Sequence, residues 1–440
     1  MWNRLLAFVR KWLGLTEEPS REVEVKKPKL RVSEGERGGV FEGAEEVHWE
    51  EVPAKPTKVK HINVGIDFGT ASTKVFVRDI EADQPYACAF DNATEGFGPF
   101  CWPSTIRVLN GTMHFGGLAE KLVGGRTIRS FKICLACKNG YVGGRRCSSM
   151  QCQDNCATTG SFVLPVDRGK VLAFHPQELA ALFIAELLGG LKTLIGGHEE
   201  LRQASSCALN MAAPLDMLNK PDLEMVFNTV LYCASLIKGE VYQGMPVTKA
   251  KQVASEALTA LEQHGLPGED VRSTFLIPET HAAMVGYMMS GKAETGNYAA
   301  IDVGAGTTDV AVFRICDPRY GERDFAYYHA GTDLTGGDEM DVRILRVLGN
   351  GVSAGSERQS RMLAAIRHAK ACFNEETGIV VEGKRLGLEQ IDWSIRPVVD
   401  QILTHYRRIW GLAYTKDMNL PRWKNMGVVV LGGGVRNSRS

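Results

Sequence analysis

Apolar positions recur along this chain in two rhythms. Short apolar runs, Ile62–Ile66, Ala299–Val303 and Val428–Leu431, each end at a glycine-containing turn, as buried strands do. Between them, apolar residues return every three or four positions. That spacing predicts helices over Pro176–Leu194, Lys220–Lys238, Ala250–His264, Glu339–Leu348 and Arg358–Asn374. Strands alternating with helices predict an α/β fold.

The first sixty residues follow neither rhythm for long. Trp2, Leu5, Leu6, Val9, Trp12 and Leu13 fall at helical spacing, with Asn3, Arg4, Arg10 and Lys11 on the rest of the circle. Residues 1–15 therefore read as a short basic amphipathic helix. Such a helix suits docking on a membrane surface or a partner protein; a helix packed on its own domain gives the same pattern. Residues 16–60 hold eleven Glu and nine Lys or Arg with little periodicity. That composition buries too little apolar surface to offset the entropy of ordering, so a disordered charged linker is expected. The folded part begins near His61.

Within it one template occurs twice. Asp67-Phe-Gly69-Thr70-Ala-Ser-Thr-Lys74-Val75 and Asp302-Val-Gly304-Ala-Gly306-Thr307-Thr-Asp309-Val310 share the order Asp, apolar, Gly, two small residues, hydroxyl, Thr, polar, Val. Each leaves an apolar strand and enters another. Polyphosphate binding needs backbone N–H groups aimed at oxygens with no side chain in the way, which glycine permits. Hydroxyls add donors, and an adjacent aspartate can hold Mg²⁺ through its water shell. Either loop alone could be an ordinary glycine hairpin; two in one register imply duplicated lobes that face each other. The strand–loop–helix phosphate motif GxxxxGK[ST] is absent.

Charge narrows the partners. Lys plus Arg and Asp plus Glu both number 51, giving zero net charge, so nucleic acid is not an expected partner. The mixed cluster Tyr406–Trp410 lacks a wider basic stripe that would argue otherwise. No apolar run approaches the length of a membrane span, and the N-terminus is too polar for a signal peptide. Eleven cysteines, an odd number spread along a long chain, do not make a secreted disulfide framework. A cytosolic location follows, peripheral to a membrane if the first helix docks there.

These motifs carry a resemblance. Residues 62–440 resemble the actin-like ATPase superfamily, and most closely the nucleotide-binding domain of the DnaK-like 70-kDa heat-shock proteins. GIDFGTASTKV and AIDVGAGTTDVAVF resemble its two phosphate motifs, LIPETHAAMVGY its first connecting motif and VVVLGGGVRNS its adenosine motif. GTDLTGGDEMDVRIL resembles a Gly-Gly-x-x-x-Asp segment of the second lobe. The resemblance implies a two-lobed fold of duplicated ribonuclease-H-like lobes, residues 61–265 and 266–440, the second truncated at its C-terminus. It implies Mg²⁺-dependent, slow hydrolysis of ATP. Asp67 and Asp302 would hold the magnesium shell, and Gly69, Thr70, Gly304, Gly306 and Thr307 the phosphates. Glu279 would order the attacking water, with Asp309 as the second carboxylate of its loop. Lys132 matches the lysine over the γ-phosphate and Lys74 the first-loop lysine of actins, of which one is expected to dominate. Gly336, Gly337, Lys370, Gly432, Gly433 and Arg436 would frame the nucleoside. Departures fall in the adenine-contacting helix, where Arg367 stands in place of a glutamate and Ala371 in place of an arginine, and at Thr280, in place of a proline.

One segment has no counterpart in that family. Cys134, Cys137, Cys147, Cys152 and Cys156 lie in an insertion, residues 133–160. Their spacing suits tetrahedral zinc. An iron–sulfur cluster would use the same ligands, and a reduced thiol-rich loop is the plain alternative. The functional expectation is a heat-shock-type nucleotide switch working with a client or co-chaperone-like partner, without a peptide-binding domain. Its rival is an actin-like scaffold of the cell-division or pilus type, tethered by the first helix.

Overall fold

A computed structural model describes residues 60–90, 99–136, 141–142, 145–146, 161–166, 169–197, 201, 204–268, 273–289, 293–316, 325–349, 357–371, 378–418, 423 and 426–432. The expected docking helix, and the linker up to residue 59, lie outside them.

In chain order, the strands that matter are β1 (Lys60–Phe68), β2 (Ser72–Asp79), β3 (Gln84–Ala87), β4 (Ala204–Ala213), β5 (Thr274–Pro278), β6 (Gly296–Val303), β7 (Thr308–Ile315), β8 (Phe325–Asp333) and β9 (Gly427–Leu431). The main helices are α1 (Phe131–Leu135), α2 (Pro176–Gly197), α3 (Pro221–Ile237), α4 (Val247–His264), α5 (Glu279–Met289), α6 (Gly337–Leu348), α7 (Glu357–Ala371) and α8 (Leu388–Tyr414). The α/β expectation holds.

Strands β1 and β2 show why the sequence makes a half-covered sheet. Ile62, Val64, Ile66 and Phe68 are buried, while Asn63, Gly65 and Asp67 between them are half-buried. Side chains alternate faces along a strand, so the apolar set seals the core and Asp67 points to the other face. The first sheet runs β5-β4-β1-β2-β3, and the second β8-β7-β6-β9. In each, a meander of three antiparallel strands has a parallel strand beside its first member, β4 next to β1 and β9 next to β6. The repeat seen in the sequence is thus a repeat of strand pairing. Asp67 lies opposite Lys74, and Asp302 opposite Asp309.

Four aromatic rings fix the end of β1 to its helices. Phe68 lies 5.9 Å from Phe131 and 6.1 Å from Phe183, and Phe183 lies 4.6 Å from Trp102 between ring centroids. Phe131 begins α1 and Phe183 sits in α2, whose Leu179–Ala185 stretch is wholly buried. This packing sets where the next residue, Lys132, can reach.

Two features were not anticipated. The longest described helix, α8, has Pro397 in its interior. A small sheet formed by Met245–Pro246, Thr112–Phe115, Ile106–Leu109 and Arg126–Ile128 adjoins the first. Among the described residues, no helix is long and apolar enough to cross a membrane.

Candidate active site

Both glycine loops are tight for steric reasons. In the first, the Gly69 N–H donates to the Asp67 carbonyl at 3.0 Å, and a Cβ on Gly69 would stand 2.3 Å from the Ser72 carbonyl oxygen. Ser104 supports the loop from below, donating to the Gly69 carbonyl at 2.7 Å. In the second, the Gly304 N–H donates to the Thr307 carbonyl at 2.9 Å.

The start of α6 closes on this second loop. Gly337 N–H donates to the Gly304 carbonyl at 2.9 Å and Asp338 N–H to the Ala305 carbonyl at 2.7 Å. A Cβ on Gly336 would lie 2.6 Å from the Ala305 carbonyl oxygen, so only glycine lets these backbones meet. A Cβ on Gly306 would lie 2.2 Å from Ile133 and 3.1 Å from Thr70. The two loops and α1 therefore meet at one place. Gly432 joins them at β9, at positive φ and against the Val303 carbonyl. Gly433 and Arg436 lie outside the described residues.

The charged groups converge on the same place. Lys132, at the buried end of α1, is ion-paired with Glu279, the first residue of α5. Lys74 is 2.7 Å from Asp67. Burial pushes the Asp302 carboxyl up to about 7, and the neighbouring charges of Glu279 and Asp67 push the same way. Asp309 is raised for the same first reason, burial, with Glu279 adding to it and a hydrogen bond from Thr332 opposing it. Burial works against a charge on Lys132, yet Glu279, Asp67 and Asp309 hold its ammonium above the usual lysine range. Four carboxylates thus face two lysines, an excess of two negative charges when all are ionised. Aspartates that resist ionising in the bare protein fit a divalent cation, which would restore their charge. Among the described residues no three His, Cys, Asp or Glu side chains converge as a direct ligand set. A magnesium ion held through its own waters suits these residues.

Lys370 and Arg367 descend from α7 onto the first turns of α6. Lys370 pairs with Asp341 and donates to the Gly337 carbonyl at 3.4 Å. Arg367 reaches Asp338 at 3.0 Å and Asp341 at 3.3 Å. The residue that departs from the heat-shock pattern is therefore an ion-pair hub beside the second loop. His281 lies in the first turn of α5, its ring 6.4 Å from that of Tyr327. Tyr406 and Ile409 face the core from α8, and Trp410 stacks on Tyr414 at 5.6 Å between centroids, so packing explains the apolar part of the 406–410 cluster. Of the five clustered cysteines only Cys134 is described, buried in α1; the other four lie outside the described residues. Ser104, Glu120, Arg129 and Thr332 also support the site, although nothing local in their sequence marks them.

Fold and site together define a mixed α/β protein with an acidic, glycine-lined site fed by two matching strand–turn–strand loops. No family model matches the chain. Among curated proteins it is similar to the chaperone protein HscA homolog of Variovorax paradoxus (strain S110), at 27% identity over 173 residues. The HscA homolog of Chromobacterium violaceum is 28% identical over 173 residues. Each match covers 37% of this chain and 26% of the relative, so it spans about a quarter of those proteins' length. The similarity is thus to part of two proteins named as chaperones, and it covers a minority of this chain as well as of theirs.

Proposed function

We propose that the protein is a magnesium-dependent ATPase of the actin-like, heat-shock type, in which the two sheets are the cores of duplicated lobes and the nucleotide state is read by a partner protein. One observation carries the proposal. Two loops of the same register, the Lys132–Glu279 pair and the raised carboxyls of Asp302 and Asp309 meet at one point.

Phosphoryl transfer asks a protein mainly for positioning and charge neutralisation. Gly69, Gly304 and Gly306, which carry no side chain, let the phosphates approach the loop backbones, where the Thr70 and Thr307 hydroxyls hold them. Asp67 and Asp302 hold the waters of a magnesium ion, which supplies charge neutralisation at the phosphates when bound. Lys132 neutralises the γ-phosphate, and Glu279 and Asp309 orient the attacking water, giving ADP and phosphate. Gly336, Gly337, Lys370 and Gly432, followed by Gly433 and Arg436, flank the nucleoside. Turnover is slow, because Lys132 and Glu279 are bound to each other in the bare site and must part before either meets its target.

A client or co-chaperone-like protein in the cytoplasm is the proposed partner. The second reading, an actin-like scaffold, is favoured by Lys74, whose ammonium sits on Asp67 within the first loop. Limited trypsin digestion with ATP and with ADP tests the switch. Two distinct fragment patterns are expected; identical patterns would contradict it. ATP-dependent pelleting in the ultracentrifuge would favour the scaffold.

A further inference from the structure

Away from the glycine loops lies a buried network that nothing above uses. Glu120 takes a two-point ion pair from Arg129, with Nε to Oε1 at 3.0 Å and Nη2 to Oε2 at 2.6 Å. It also accepts the Thr105 hydroxyl at 2.5 Å. Both charged side chains are nearly enclosed, at 14% and 12% exposure. Such forked pairs fix direction as well as distance. Arg129 immediately precedes Ser130, and Ser130 is left-handed at φ 57°, uncommon for a residue other than glycine. Ser130 is also the residue from which α1 starts, two positions before Lys132. The turn that aims Lys132 is thus held in a costly conformation between the Arg129 anchor and the Phe131 ring packed on Phe68.

We propose that Glu120 is a positioning residue for Lys132: by clamping Arg129 it holds the Ser130 turn, and so fixes the reach of the Lys132 ammonium toward Glu279. The catalytic significance of that reach rests on the ATPase reading above; the clamp itself does not. Two further facts agree. Glu120 is held below the usual carboxylate range: burial works against its charge, but Arg129 more than offsets it, and Arg367 of α7 adds to the pull. Glu120 therefore lies between a cation of the Lys132 turn and a cation of the helix behind the second loop. Removing its charge breaks the two-point ion pair to Arg129 and takes a nearby negative charge from Arg367, which keeps Asp338 and Asp341, and breaking a buried ion pair is more disruptive than losing one neutral hydrogen bond.

The test is the rate at which acetic acid N-hydroxysuccinimide ester acetylates Lys132, followed by mass spectrometry in the wild type, Glu120→Gln and Glu120→Asp. Lys251, which is paired with the buried Glu178 in another part of the fold, serves as the internal control. We expect Glu120→Gln to speed acetylation of Lys132 about fivefold or more with Lys251 unchanged, and Glu120→Asp, which keeps the charge, to recover most of the protection. An unchanged Lys132 rate overturns the proposal. So does equal acceleration at Lys132 and Lys251, which would mean general loosening. Absence of ATP turnover in the wild type would count against the ATPase reading and leave this test intact. Where turnover is present, Glu120→Gln lowers kcat with KM for ATP within about twofold, the mark of an interaction needed in the transition state.

Discussion

A carboxyl group that is hard to ionise is a sensor of its own surroundings, and Asp302 is the clearest one here. Its ordinary value, 3.8, is raised to about 7 by burial first and by the charges of Glu279 and Asp67 second. The folded protein therefore keeps a proton that the unfolded chain releases near pH 4. The stabilisation from that proton is fully present below about pH 3.8 and is lost as pH rises through about 7. The melting temperature of the nucleotide-free protein should fall between about pH 6 and 8. In Asp302→Asn, which carries no titrating group there, the fall should shrink to the share left by Asp309 and Glu186, whose carboxyls burial also raises. Parallel profiles for the two proteins would contradict the buried, raised carboxyl. At this scale the sequence spoke through motif alone. Asp67, Asp302 and Asp309 were visible because their loops repeat. The Lys132–Glu279 pair joins residues 147 positions apart and was legible only through resemblance. The forked Glu120–Arg129 pair has no motif, so no local pattern could reveal it.

Elements were legible where one periodicity ran unbroken. Helix α3 begins one residue after the expected Lys220, with Pro221 at its first position, where the missing N–H costs nothing. Helix α8 is not among the elements the sequence predicts, although Ile391, Ile395, Val398, Ile402, Tyr406 and Ile409 keep helical spacing along its buried face. Pro397 interrupts that pattern as a helix breaker, and the surrounding burial that outweighs it is not a local property. The face packs closely: a Cβ on Gly331 of β8 would stand 2.5 Å from Ile409 Cδ1. Ile409→Ala should therefore cost about 2–5 kcal/mol in urea unfolding, the range for emptying a packed isoleucine site. A cost under about 1 kcal/mol would mean that α8 does not seal the second sheet.

For the whole molecule, the duplicated sheets explain why a site exists where it does. The first meander delivers one glycine loop with Asp67 and Lys74, the second delivers the other loop with Asp302 and Asp309, and α1 and α5 add Lys132 and Glu279. The α/β class and the doubling were legible because the template occurs twice; the adjoining small sheet was not, since strands of two to four residues carry too little pattern. Arg367 and Ala371 depart from the adenine-contacting helix of the family that the motifs resemble. In the structure Arg367 is engaged with Asp338 and Asp341, which ties α7 to the start of α6 and hence to the second loop. The proposed reaction at these converging groups is hydrolysis of ATP. Phosphate release from Mg·ATP by the wild type and by Asp302→Asn measures it directly. Slow turnover by the wild type is expected, with a loss of about a hundredfold or more in the variant, the scale of removing a preorganised charge from such a site. Equal turnover by the two proteins, or none by the wild type, would contradict it.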